Sequence, residues 1–200
     1  MKNKKGFTLI ELLAVIVILG VLISIVIPRV SQYINNSRKG SFVSTAEEFA
    51  KSVMEDATQE DYPHPIHRND VTIVTLDKAS LQKTKGKSAF GGNYVYSNTY
   101  VAIINITDGS DPEYRYFVAM QDTKNYAIPL TMWDEVDSED VVANAKNKME
   151  VTIQPLCGNT DGYQTTLSTI SGLEEYQPVD SNGSRLPWNV TIYSTEECGK

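Results

Sequence analysis

The sequence predicts an α+β protein: one long N-terminal α-helix, membrane-spanning in its first half and amphipathic in its second, packed on an antiparallel β-sheet head. Three observations carry this. Residues 7–27 form an apolar run, residues 30–57 repeat apolar side chains at spacings of three and four, and the remaining chain breaks into short strand-like segments separated by turn formers. The division that follows is a spanning helix over 7–28, an amphipathic stem over 29–58 and a β-rich head over 59–200.

The run FTLIELLAVIVILGVLISIVI is interrupted only by Thr8, Glu11, Gly20 and Ser24. As a helix its 21 residues span ~32 Å at about 1.5 Å per residue, enough to cross a bilayer. Lys2, Lys4 and Lys5 precede it, so the N-terminus stays cytoplasmic and everything after Ile27 is exported. An ordinary secretory signal has a shorter apolar region and a small-x-small cleavage site, whereas this run ends in Ile27-Pro28-Arg29. Glu11 needs a special account, because a charge within the bilayer costs about 2.5 to 3.5 kcal/mol and such groups are usually paired or functional. Snorkelling from its place near the cytoplasmic end is the plain alternative.

Beyond the membrane, Val30, Tyr33, Ile34, Val43, Ala46, Phe49, Ala50, Val53, Met54 and Ala57 form one stripe between polar positions. The helix stops before Tyr62-Pro63-His64-Pro65, where two prolines cannot sustain its hydrogen bonds. Pro28 lacks the N–H that would bond the Ser24 carbonyl, and Gly20 is the other weak helix former nearby.

In the head, strands are expected over Val71–Leu76, Asn93–Ser97, Tyr100–Ile106, Tyr114–Gln121 and Tyr126–Pro129. Turns at Asp108-Gly109 and Asp122–Asn125 make these a meander. Further strands fall at Val151–Leu156, Tyr163–Ile170 and Trp188–Tyr193. Short helices are expected from Lys78 to Lys83, capped by Asp77, and from Ser138 to Lys146, capped by Ser138 with acids in its first turn.

Charge and composition narrow the chemistry. With 18 Lys and Arg against 25 Asp and Glu, the net charge of −7 argues against nucleic acid as a partner, since counterion release needs many cations. Two histidines and two cysteines leave little for a metal site or a His-based catalytic site, so neither enzyme activity nor a cofactor is expected. Gly86-Lys87-Ser88 ends like a phosphate loop, but Leu81 stands where the motif requires Gly. His64 and His67 flank Pro65 with no third ligand, and no G-x-S-x-G elbow occurs. Asp134, Glu135, Asp137, Glu139 and Asp140 lack calcium-loop spacing and read as a solvated helix start. Lys78, Lys83, Lys85 and Lys87 form one basic cluster, read as a solvated loop before a contact for an anionic surface.

Gly6-Phe7-Thr8-Leu9-Ile10-Glu11 after a Lys-rich leader resembles the class III signal of type IV prepilins and pseudopilins, a likeness that covers about the first 55 residues. The resemblance implies a pilin-like fold in which residues 1–6 are a leader peptide. A prepilin peptidase would cut between Gly6 and Phe7, and Phe7 would become the N-methylated first residue. It implies that Glu11 meets the terminal ammonium of a neighbouring subunit during assembly. By position it gives Gly20 and Pro28 the ends of a segment that unwinds in the filament, with a plain proline kink as the alternative. Export would place Cys157 and Cys198 where pairing is permitted, and the resemblance implies a disulfide that ties down the C-terminal region; two free thiols are the alternative. The partners implied are other pilin subunits, the peptidase, the pilus assembly machinery and, before assembly, the membrane. The protein would be single-pass in the inner membrane and then part of an extracellular filament. Asn-x-Ser/Thr matches at Asn105, Asn182 and Asn189 carry no reading in a prokaryotic prepilin. The leading function is a structural subunit of a type IV pilus. The alternatives are a minor pilin or tip adhesin, or a pseudopilin of a type II secretion or competence system.

Overall fold

The computed structural model describes residues 6, 8–59, 62–76, 87–107, 111–145 and 162–193. The expected helix over Lys78–Lys83, the strand Val151–Leu156 and the turn Asp108-Gly109 lie outside the described residues. The chain divides into two compact units, Met1–Arg38 and Lys39–Lys200.

In the first unit the backbone is helical from Leu9, the start of α1 (Leu9–Thr58), and stays so through Gly20 and Pro28. The Ser24 hydroxyl donates to the Val21 carbonyl at 2.7 Å, just ahead of the position whose amide proton Pro28 lacks. Large apolar side chains from Leu9 to Ile27 are 49% to 82% exposed. Val30, Tyr33 and Ile34, placed by periodicity on the stem's apolar stripe, are exposed as well.

In the second unit, burial on α1 begins at Phe42 and continues through Val43, Ala46, Phe49, Ala50, Val53 and Ala57. Spacings of three and four put these on one face, and that face packs against Val74, Val101, Ile103, Val118, Met120 and Ile128 of the sheet. The sheet comprises β1 (Asp70–Thr75), β2 (Tyr100–Asn105), β3 (Tyr114–Gln121), β4 (Tyr126–Met132), β5 (Val142–Ala143), β6 (Tyr163–Leu167) and β7 (Trp188–Tyr193). Their order is β5-β4-β3-β2-β1-β7-β6.

The first five strands form the expected antiparallel meander. The sheet is antiparallel as expected except at one pair: β7 lies parallel to β1, with Val71 opposite Val190 and Ile73 opposite Ile192. A parallel neighbour requires a long connection, here the whole chain from β1 to β7, whose last stretch, residues 168–187 between β6 and β7, crosses the face opposite α1. There Ile170 and Leu173 join Val71, Ile73, Tyr100, Ile104, Trp188 and Val190 in a second core. The Gln177 side-chain amide pins this crossing by donating to the carbonyls of Ser168 at 2.7 Å and Leu186 at 2.8 Å.

Three further expectations change. Asn93–Ser97 is not a strand; Asn93 and Tyr94 make isolated bridges and Tyr96–Asn98 is a single 3₁₀ turn. β4 does not end at Pro129 but continues to Met132, with a register shift between Val118 and Met120 that accommodates a residue unable to donate to the ladder. No helix starts at Ser138. The Asp137 carboxylate accepts from the Glu139 amide at 2.6 Å and the Asp140 carboxylate accepts from the Asp137 amide at 2.9 Å, which closes a single turn that does not propagate because the chain leaves it to pair with β4. Val142 and Ala143 then pair with Ala127 and Tyr126 as β5.

Gly172 sits at φ +92°, where a Cβ would lie 2.7 Å from the Leu130 carbonyl oxygen. Gly172→Ala should therefore destabilise the head by about 3 kcal/mol, combining backbone strain with a clash against main chain. Urea unfolding of the full-length chain in detergent, followed by tryptophan fluorescence from buried Trp188, measures it.

Candidate functional site

The helix begins at a charged capping arrangement. Thr8 immediately precedes Leu9, and its hydroxyl accepts from the Glu11 amide at 3.3 Å. The Glu11 carboxylate turns back and accepts from the Thr8 amide at 2.7 Å and the Thr8 hydroxyl at 2.8 Å. This is a capping box: two amides that a helix end leaves without partners are satisfied reciprocally. It also fixes where the negative charge lies, at the N-terminal end of the helix next to its positive dipole end. Gly6, with open space around its Cα, lies two residues before Thr8, and Phe7 lies outside the described residues.

Sequence reasoning selected Glu11 but passed over Thr8, although the T-x-x-E spacing that defines the box stands in the chain. Gly20 and Pro28 both fall inside continuous helix, and a Cβ on Gly20 would meet nothing within 4 Å. Close packing within the single chain therefore does not require glycine there. Cys157 and Cys198 lie outside the described residues.

The other candidates are not brought together. His64 Nε2 is 3.1 Å from the Tyr116 hydroxyl and its ring lies on Tyr114 with centroids 4.3 Å apart, while His67 is exposed. Among the described residues no cluster of His, Cys, Asp or Glu could hold a metal. Of the lysine cluster only Lys87 is described, in a bridge with Asn93. A group that sequence reading missed is Asp122, fully buried, whose carboxylate accepts from the Ser88 hydroxyl at 2.5 Å and from the Lys124 and Tyr126 amides at 2.9 and 3.0 Å. It holds the β3–β4 turn to the loop carrying Phe90, whose ring stacks on Tyr126.

Residues 1–27 match the family model described as the prokaryotic N-terminal methylation motif. The chain carries a prokaryotic N-terminal methylation motif. Its capped start, Thr8 to Glu11, is thus part of the matched stretch. The chain is also similar to a fimbrial protein of Pseudomonas aeruginosa, 35% identical over 98 residues that cover 44% of this chain. The match spans 64% of that protein, less than two thirds of its length. No solved structure matches the chain. The methylation motif, the long apolar helix and the seven-stranded sheet packed on its second half make the chain type IV pilin-like.

Thr8→Val removes the cap hydroxyl but keeps the backbone amide. It should weaken the first helical turn by about 1 kcal/mol, seen as faster amide exchange at Leu9 to Leu12 in micelles with helix content elsewhere unchanged. A second outcome concerns His64, whose pKa burial holds below the usual histidine value. The folded head thus binds fewer protons than the unfolded chain near pH 6, so stability is present above about pH 6.5 and is lost as pH falls below it. His64→Phe should flatten the melting temperature between pH 7 and pH 5, measured by thermal melts of the full chain.

Proposed function

We propose that the chain is a structural subunit of a type IV pilus, held in the inner membrane with its N-terminus inside and its head outside, and then built into an extracellular filament through its N-terminal helix. The observation that carries this is an apolar helical surface over Leu9–Ile27 that stays exposed in the single chain, joined to the methylation motif. Of the described residues, α1 is the helix long and apolar enough to cross a membrane. Lipid covers that surface before assembly and neighbouring helices cover it afterwards. The subunit does no chemistry of its own; a prepilin peptidase acts on it between Gly6 and Phe7, and the mature chain starts at N-methyl-Phe7.

The capping box gives the assembly step a physical basis. Cleavage would create an ammonium on Phe7, next in the chain to the Thr8 amide that Glu11 accepts. The carboxylate is therefore held at the helix start, where the terminal ammonium of an incoming neighbour can meet it in an apolar filament core. Leaving either charge alone there costs several kcal/mol. Gly20 and Pro28 bound the segment proposed to unwind on assembly, a change from the helical single-chain state.

A Cys157–Cys198 disulfide is part of the same proposal. The Gly162 amide donates to the Ile192 carbonyl at 3.1 Å, and Tyr163 pairs with Ile192. Because β6 and β7 are antiparallel, the chain entering β6 and the chain leaving β7 pass the same end of the sheet. Cys157 is five residues before Gly162 and Cys198 five after Tyr193. At about 3.4 Å per residue each stretch reaches ~17 Å, enough to meet.

Glu11→Val should leave membrane insertion and leader cleavage intact, with mass spectrometry finding the N-methyl-Phe7 terminus, and should abolish or slow incorporation into filaments imaged by immunogold labelling. Normal incorporation of the processed variant refutes the assembly role. The cysteines are checked separately: native, non-reduced protein should present no alkylatable thiol, and Cys198→Ser should lower its melting temperature by the same amount as reduction.

A further inference from the structure

A groove of about 530 Å³ lies on the head where the sheet extends beyond α1, on the same face that the helix covers elsewhere. Its floor is set by strand alternation. Gln164 and Thr166 on β6 stand opposite Thr191 and Asn189 on β7, so four neutral amide and hydroxyl side chains form a two-by-two grid on one face. Gln164, Thr166 and Asn189 are exposed and Thr191 partly so. Its wall is the segment Pro63–Ile66, in which Ile66 is 78% exposed, and Tyr193 stands at one end.

The wall is built rather than loose. The Thr72 hydroxyl donates to the Pro63 carbonyl at 3.0 Å and the Asn105 side-chain amide donates to the Ile66 carbonyl at 3.0 Å. Two prolines fix its backbone further, so little order has to be gained when a ligand binds. The groove carries one carboxylate, and it is held by hydrogen bonds. Its carboxylate, Asp70, accepts from the His67 amide at 2.9 Å through one oxygen and from the Asn189 side-chain amide at 3.0 Å through the other. His64 on the wall is hydrogen-bonded to Tyr116 and partly buried.

A floor of amide and hydroxyl side chains with both donors and acceptors and one hydrogen-bonded carboxylate, facing an aliphatic and aromatic wall, suits an uncharged ligand with hydroxyls on its edges and C–H groups on its faces. We propose that this groove binds a short neutral oligosaccharide, its hydroxyls on Gln164, Thr166, Asn189 and Thr191 and its C–H faces against Ile66 and Tyr193. Among the described lining residues there is no Lys or Arg to pair with an anionic ligand, and an extended peptide would add in the plane of β6, at its edge, rather than on the face.

The test uses full-length, isotope-labelled protein in detergent micelles, titrated with lactose, cellobiose, maltose and chitobiose. At least one should shift the side-chain amide signals of Gln164 and Asn189 saturably, while a sulfated disaccharide does not. Gln164→Leu with Thr191→Val, the first at an exposed and the second at a partly exposed position, should weaken that binding roughly tenfold, about 1.4 kcal/mol, without moving the signals of the core. The proposal is overturned by the absence of saturable shifts with every sugar, by shifts that the double variant leaves unchanged, or by the same shifts from an extended neutral peptide. It is equally overturned if a chain ending at Tyr193 binds sugar that the full chain does not, since residues 194–200 would then be the occupant. Any of these results leaves the assembly reading standing, because the groove contains no residue of the N-terminal helix.

Discussion

The governing constraint is the exposed apolar surface of residues 9–27. Nineteen consecutive positions carry large aliphatic side chains relieved only by Glu11, Ala14, Gly20 and Ser24, and in the single chain the large ones lie open. Exposed apolar area costs about 25 cal/mol per Å², so such a surface is tolerable only in lipid or against similar helices. The head, by contrast, is self-sufficient: one face of its sheet is covered by residues 42–57 of α1 and the other by residues 168–187. The two units thus answer to different solvents.

Within that apolar surface, the one carboxylate is managed by geometry. Thr8 gives Glu11 a partner inside its own chain, so the charge has hydrogen bonds before any neighbour arrives. The same two residues therefore begin the helix and keep its acid in a defined place.

What the sequence made legible was what local periodicity controls. The apolar run, the stem's buried face from Val43 to Ala57, and strands β3 and β7 with their bounds all follow from spacing alone. Phe42 was passed over although it stands four residues before Ala46 and seven before Phe49, spacings that the stripe admits, and it is buried with Val43 at the start of the packed face. Residues 138–140 read as a helix start because acids favour a first turn, and the Asp137–Asp140 bonds do close a turn, but the chain then leaves it to pair with β4. The bulge at Pro129 came from a proline that propensity treats as a stop and a ladder can step around. Long-range pairing was beyond reach, since nothing in either strand's alternation marks β7 as the parallel neighbour of β1. In the candidate site, Gly6, Phe7 and Glu11 were legible as a motif, whereas Thr8 was visible only as a spacing rule for helix starts.

The β1–β7 pairing has a consequence for the order in which the head becomes whole. Asn189 and Asp70, bonded across it, are 119 residues apart, and β7 is the final described strand. A chain that emerges N-terminus first can zip β1 to β4 as each hairpin appears, but β1 keeps one open edge until β7 has emerged. That edge carries Val71, Ile73 and Val74, a β-prone template for any other extended chain in the same compartment. The vulnerable interval in the folding of this chain is therefore the delay between the fourth strand and the seventh, and a chain truncated before Trp188 would leave β1 open.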